Sequence, residues 1–186
     1  MGIKPIKTKR FVLTKMTAAD GEKYFRLSNN ANVMKYVTGY SLNRRESDEM
    51  LKGFLAEYGN DTYLGRYLIE GINNGELIGV AKLDRIGSEI EIGYRVLEEQ
   101  WGKGIATEIA GGLINFARKK LNASNVIAFV NVNNFASIRV LEKAGMINVE
   151  KIEDLDEVKY KFVYLPRISK LLRKMASIFS GFLPSV

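Results

Sequence analysis

Glu91-Ile-Gly-Tyr-Arg-Val96, followed by Trp101-Gly-Lys-Gly-Ile-Ala-Thr-Glu108, reads as a strand that passes through a glycine-rich loop into a helix. The first N–H groups of such a helix have no helical carbonyl to accept them, so the loop and helix start suit an anion. Gly102 and Gly104 tolerate positive φ and let a diphosphate approach the backbone, while the small Ala106 keeps the helix entry open. The fragment alone is a weak signal, and by itself fits better a tight strand-to-helix turn without a ligand.

Downstream, Ile105, Ile109, Leu113, Phe116 and Ala117 mark one face of a helix over 104–120, and Lys119 and Lys120 suit its negative end. Residues 125–130 form a β-branched run of strand length. A helix follows over 136–144, stopped by Gly145, and Val158, Tyr160, Phe162 and Tyr164 alternate in a late strand. Upstream, 63–70, 77–86 and 89–96 make a three-strand antiparallel meander with turns at Asn73-Asn74-Gly75 and Gly87-Ser88. Before it stand a strand over 10–16, a helix opening at Thr17 and Asp20, and an amphipathic helix between 41 and 58. The pattern predicts an α/β (α+β) domain with a mixed sheet.

With 186 residues and 46% apolar content, the chain suffices for one cored domain, over residues 1–165. It has no histidine and no cysteine, which removes thiol and imidazole nucleophiles, the usual nitrogen and sulfur metal ligands, and any disulfide framework. Chemistry is left to carboxylates, hydroxyls, lysines and backbone amides, and no metal is expected. The basic first ten residues lead into no long apolar run, so a cytoplasmic location is expected. A net charge of +7 favours phosphorylated ligands, nucleic acid or anionic lipid.

The loop gains meaning from Asn134-x-Ala-Ser-Ile-Arg-Val-Leu-Glu-Lys-x-Gly145 further along. Together with Glu91-Ile-Gly-Tyr94 and the block from Trp101 to Glu108, it resembles the GNAT acetyltransferases, in the branch containing ribosomal-protein N-terminal acetyltransferases. The resemblance covers roughly residues 8 to 165. It implies a mostly antiparallel sheet with helices on both faces, acetyl-CoA as cosubstrate and an amine as acceptor. By the same resemblance the amides of Trp101, Gly102, Lys103, Gly104, Ile105, Ala106 and Thr107 bind the pyrophosphate. The pantetheine lies between the strands over 91–96 and 125–130, which splay apart, and a backbone amide among Ile92, Gly93 and Tyr94 polarises the thioester. Asn134 matches the asparagine that contacts the cofactor arm, and is also a favoured helix cap. Lys103 and Arg139 are candidates for the phosphates. The family often has a tyrosine acid where this chain has Leu141.

N-acetylation needs a neutral amine and a proton or hydrogen bond for the departing thiolate. Glu91, and behind it Glu89 on the same strand face, is the candidate base, each open to a plain salt-bridge role. Ser137 is the candidate acid or sulfur-contacting hydroxyl, and Tyr94 can act or simply pack. The acceptor is expected near Met34, Tyr36 and Tyr40, residues that fit core packing equally.

Residues 166–186 carry Arg167, Lys170, Arg173 and Lys174 with apolar residues at helical spacing, a basic amphipathic helix. Packing on its own domain or on a homodimer partner is favoured over contact with a membrane surface or RNA. Two other functions compete with the enzyme: a CoA-binding module without turnover, and a basic adaptor at membrane or ribosome.

Overall fold

The alternation around residue 12 becomes the second strand of an eight-stranded sheet. In a computed structural model, which describes residues 3–59, 61–154 and 157–165, the elements run β1 (Ile6–Lys7), β2 (Phe11–Lys15), α1 (Gly21–Ser28), α2 (Ala31–Met34), α3 (Arg44–Glu57), β3 (Gly65–Gly71), β4 (Leu77–Ile86), β5 (Glu89–Val96), α4 (Ile105–Lys120), β6 (Val126–Asn131), α5 (Phe135–Lys143), β7 (Ile147–Glu153) and β8 (Val158–Tyr164). The sheet order is β1-β2-β3-β4-β5-β6-β8-β7, antiparallel throughout except where β5 meets β6.

Alternation along the strands sorts their side chains onto two faces. Leu13, Ile69, Leu83 and Ile92 are buried against Ile109 and Leu113 of α4, with Leu141 of α5 in the same cluster. Leu68 and Val80 point the other way, into a second cluster with Tyr24 and Leu27 of α1 and Leu51 of α3. Each such burial contributes roughly 1.5–3 kcal/mol, so two apolar layers clamp the middle strands and fix where β5 ends. Helices therefore cover both faces, as the resemblance implied.

The meander, the helix starting at Thr17 and Asp20, and the helices α3, α4 and α5 stand where the pattern predicts them. The Thr17 N–H donates to Asp20 Oδ2 at 2.8 Å, closing the helix start. Three elements were not anticipated: β1, α2 and β7. β1 is two residues long, and α2 is a four-residue helix capped by Asn30, whose Oδ1 accepts the Val33 N–H at 3.1 Å. β7 is an edge strand that is mostly exposed and charged, with a pairing irregularity between Asn148 and Glu150, so it shows no two-residue alternation. The basic helix expected over 166–186 lies outside the described residues. Among the described residues, no helix is long and apolar enough to cross a membrane.

Candidate active site

β5 and β6 run parallel but pair only at Ile90 with Val126 and at Glu91 with Ile127. Beyond these two pairs β5 continues along β4 as far as Val96, and β6 continues along β8 as far as Asn131. The facing edges therefore part, as expected, and their backbone donors and acceptors have no strand partner across the gap. The gap opens into a cleft of about 1050 Å³ lined by Gly93, Tyr94, Gly104, Ala106, Val130 and Ser137 among others. An amide-bearing chain can enter it as an added strand would.

The glycine loop closes one end of this gap. After β5 the chain makes a 3-10 turn, Glu98–Gln100, and Gln100 is buried with its Nε2 donating to Glu76 Oε1 at 2.7 Å. Gly102 and Gly104 then take φ of +75° and +71°, and Gly104 is the left-handed cap from which α4 starts. A Cβ at either glycine would meet nothing within 4 Å, so the demand for glycine comes from the backbone angle and not from crowding. Six buried apolar residues, from Ile105 to Ala117, hold α4 against the sheet and so aim its N-terminus at the cleft.

Within this loop Trp101 differs from the residues that follow it. The Trp101 N–H donates to Glu98 O at 3.0 Å, and its indole Nε1 donates to Val96 O at 2.8 Å. Trp101 thus spends both donors on the protein and braces the loop, which leaves the amides of Gly102, Lys103, Gly104, Ile105, Ala106 and Thr107 for an anion. Among the described residues none of these six enters the turn and cap hydrogen bonds. The Lys103 ammonium donates to Gln100 Oε1 at 3.0 Å, on the loop itself. Arg139 is exposed on the cleft rim and makes no ion pair or side-chain hydrogen bond among the described residues.

Asn134 Oδ1 accepts the Ser137 N–H at 3.1 Å and so caps α5. Its cap role is realised, and its Nδ2 has no partner among the described residues, available to a ligand in the cleft it lines.

The three candidate catalytic side chains separate onto two faces. Glu91 turns toward α1 to α3, where Lys82 Nζ lies 2.6 Å from Oε1 and 3.0 Å from Asp84 Oδ2. Arg66 extends this chain of charges, paired to Asp84 and, at 3.0 Å, to Glu57. Glu91 is also the last β5 residue joined to β6, so its carboxylate stands at the apex of the split. Glu89 is instead tied to Lys161 at 2.8 Å across β6, and it lies off the cleft. Lys82, which anchors Glu91, carried no signal in the sequence beyond its place on a strand.

Tyr94 turns to the opposite face, toward α4 and α5. Its hydroxyl is buried and has no partner in hydrogen-bonding geometry. Burial pushes the phenol up to about 12, with the neighbouring Ser137 hydroxyl pulling the other way. Ser137 and Leu141 are one turn apart on α5, and Leu141 is core. At 141, where the family often has a tyrosine, this chain has a core leucine, and the hydroxyls in this neighbourhood are those of Ser137 and Tyr94.

The three residues expected near the acceptor divide between core and cleft mouth. Met34 is wholly buried and belongs to the packing, whereas Tyr40 is exposed and Tyr36 donates from its hydroxyl to Asn133 O at 2.9 Å across the cleft mouth.

A sheet split beside a glycine loop, with a helix start aimed into the split, suits a phosphorylated, amide-rich acyl carrier. Residues 10–147 match the acetyltransferase (GNAT) domain, and the chain belongs to that family of acyltransferases. It is 31% identical over 147 residues to the uncharacterized N-acetyltransferase YoaA of Bacillus subtilis, across 75% of this chain and 81% of that protein. Its fold is similar to a GNAT-family acetyltransferase from Bacillus anthracis, with a TM-score of 0.75 at 20% identity over 87% of this chain and 98% of that one. A ribosomal L7/L12 α-N-protein acetyltransferase in complex with coenzyme A also shares it, with a TM-score of 0.72 at 18% identity over 87% and 98% of the two chains.

Proposed function

We propose that the protein transfers the acetyl group of acetyl-CoA to a primary amine held in the same cleft, without a covalent acyl-enzyme. The parting of β5 from β6 beside six uncommitted loop amides carries this reading. Bound acetyl-CoA supplies an activated acyl carbon. The amides of Gly102 to Thr107 and the start of α4 hold its pyrophosphate, Lys103 and Arg139 add positive charge, and the Asn134 amide contacts its arm. An N–H among Ile92, Gly93 and Tyr94 polarises the carbonyl.

As the N–C bond forms and the C–S bond breaks, one proton leaves the amine and one reaches sulfur. Glu91 takes the first, through water, from the apex of the split. Tyr94 acts on the sulfur as a hydrogen-bond donor. Passing its proton to a thiolate of ordinary basicity, ~8.5, would run uphill by roughly 5 kcal/mol, so the phenol stabilises the leaving group and solvent delivers the proton. Ser137, beside it on α5, offers a second hydroxyl to the sulfur. Bringing two bound reactants together supplies much of the remaining rate.

Calorimetric titration with acetyl-CoA tests the reading, comparing wild type with Gly104→Val. The variant forces a branched residue into the left-handed region, at a cost of roughly 1–2 kcal/mol, and misaims the loop amides. Micromolar binding that weakens at least tenfold in the folded variant, with thiol release in the presence of a primary amine, supports the proposal. Absence of binding by folded wild type overturns it.

A further inference from the structure

Arg95 is the half-buried cation of the cleft that the fold leaves without a counter-charge. It lies on β5 two residues beyond Gly93, on the face that also carries Glu91. Its Nη2 donates to the Tyr24 hydroxyl at 3.0 Å and its Nη1 to Met34 Sδ at 2.8 Å, and the guanidinium stands 5.4 Å from the centre of the Tyr24 ring. Tyr24 and Met34 are both core residues, so the fork is held by side chains that cannot move aside. Among the described residues no carboxylate pairs with it.

The neighbours on the same face make the omission informative. Lys82 has Glu91 and Asp84, and Arg66 has Asp84 and Glu57. A guanidinium carries five N–H donors, and a thioether is a weak acceptor, so Arg95 retains donors for an acceptor group that displaces water from the cleft. A charge partly withdrawn from water without a counter-charge is unfavourable, which makes the position favourable for an anion.

The balance around the cleft agrees. Among the described residues its lining includes seven Lys and Arg residues and two carboxylates, Glu91 and Glu157. Glu157 pairs with Lys159 at 2.7 Å and Glu91 with Lys82, so neither stands ready for a second ammonium. Such a wall repels a polycation and draws in an acceptor whose amine is accompanied by negative charge. Arg95 and Glu91 are four residues apart on one face of the same strand, so an acceptor held at Arg95 lies on the face that carries Glu91.

We propose that Arg95 reads an anionic group on the acceptor, and that the acceptor is a primary amine bearing a carboxylate, as in an amino acid or a peptide with an acidic residue near its N-terminus. The proposal rests on the acetyltransferase reading above. Arg95 lies on the α1 to α3 face, away from the α4 and α5 side that closes over the glycine loop, so it serves the acceptor and not the cofactor.

The test measures acetylation of free L-amino acids against their C-terminal amides, of a short peptide with aspartate at its second position against its asparagine counterpart, and of spermidine. Wild type, Arg95→Gln and Arg95→Lys are compared, and acetyl-CoA binding is followed by calorimetry. We expect a preference of tenfold or more in kcat/KM for the carboxylate form in one of the two matched pairs, and which pair shows it identifies the source of the carboxylate. In Arg95→Gln the preference disappears through acceptor KM, while acetyl-CoA affinity is unchanged. Arg95→Lys retains the charge without the planar fork, so it keeps part of the preference even if the glutamine variant fails to fold. Equal rates on matched pairs, spermidine as the preferred acceptor, or loss of acetyl-CoA binding in a folded Arg95 variant overturns the proposal. Absence of acetyl-CoA binding by wild type would instead remove the reading on which it rests.

Discussion

Lys82 crosses the bare Cα of Gly93, its partner on the neighbouring strand, to bring its ammonium 2.6 Å from Glu91. A Cβ on Gly93 would stand 2.8 Å from both Cγ and Cε of Lys82. The path of the lysine, and with it the fixing of Glu91, therefore depends on a hydrogen at 93. Gly93→Ala is expected to push the flexible stem aside at about 1–2 kcal/mol and to lower kcat by releasing Glu91. Gly79→Ala meets a different wall, the backbone oxygen of Arg95, which cannot swing away. It should cost at least twice as much. Urea unfolding of both variants checks the order, and equal costs would sink the argument.

Tyr94 sets stability against function. An unpartnered buried hydroxyl costs roughly 1–3 kcal/mol, so Tyr94→Phe should stabilise the fold by about 1 kcal/mol. That raises Tm by roughly 2–4 °C for a chain of this size. If the phenol stabilises the leaving thiolate, kcat falls tenfold or more while the KM for acetyl-CoA stays constant. A lowered Tm would show that the hydroxyl has a partner, and an unchanged kcat would remove its role in the reaction.

The legible parts of this fold are those where short-range chemistry decides. Gly102 and Gly104 announced the loop because only particular backbone angles turn a strand into that helix, and Asn134 announced the cap of α5 for the same local reason. The meander could be read because its strands face a core on at least one side. β7 could not, because an exposed edge strand such as Asn148-Val-Glu-Lys151 has no buried face to impose alternation. The site was half visible for a related reason. Its backbone donors follow from the loop, but the fate of Glu91 depends on Lys82 from another strand, and that of Arg95 on Tyr24 and Met34 from two helices. Such pairings are set by sheet register and helix packing, which no local spacing encodes. Trp101 shows the converse: its place in the motif was right, but both of its donors turn inward.

The first turn of α4 supplies a pH-dependent clasp. Glu108 accepts hydrogen bonds from Thr8 Oγ1 at 2.7 Å, the Arg10 N–H at 2.8 Å and Arg10 Nε at 2.6 Å, while Arg10 also donates to Lys103 O at 3.3 Å. Burial alone would raise the Glu108 carboxyl, but the bonds from Thr8 and Arg10 hold it below the usual carboxylate range. A depressed folded value means that this stability is present above the unfolded value, ~4.3, and is lost as pH falls through the folded one. Glu108→Gln should therefore be less stable than wild type at pH 7, with the difference closing below about pH 4. Thermal unfolding from pH 7 to 3 makes the comparison. A gap that persists to pH 3 would show that the charge of Glu108 is not its source.

The hydrogen bond from the Tyr36 hydroxyl to Asn133 O joins the helices of the acceptor side to the loop that leads into α5. It is exposed, and one such bond contributes at most about 1 kcal/mol to folding. Its value lies in position: Asn133 immediately precedes the cap residue Asn134, so the bond couples the mouth of the cleft to the start of α5. Tyr36→Phe is expected to leave Tm nearly unchanged, to raise the acceptor KM several-fold and to spare kcat. Amide hydrogen exchange at Asn133 and Asn134 should quicken, while that of buried β6 residues such as Ile127 stays as it was. A Tm drop of several degrees with no change in acceptor KM would make the bond a stabilising tie of the fold and not a setting of the cleft.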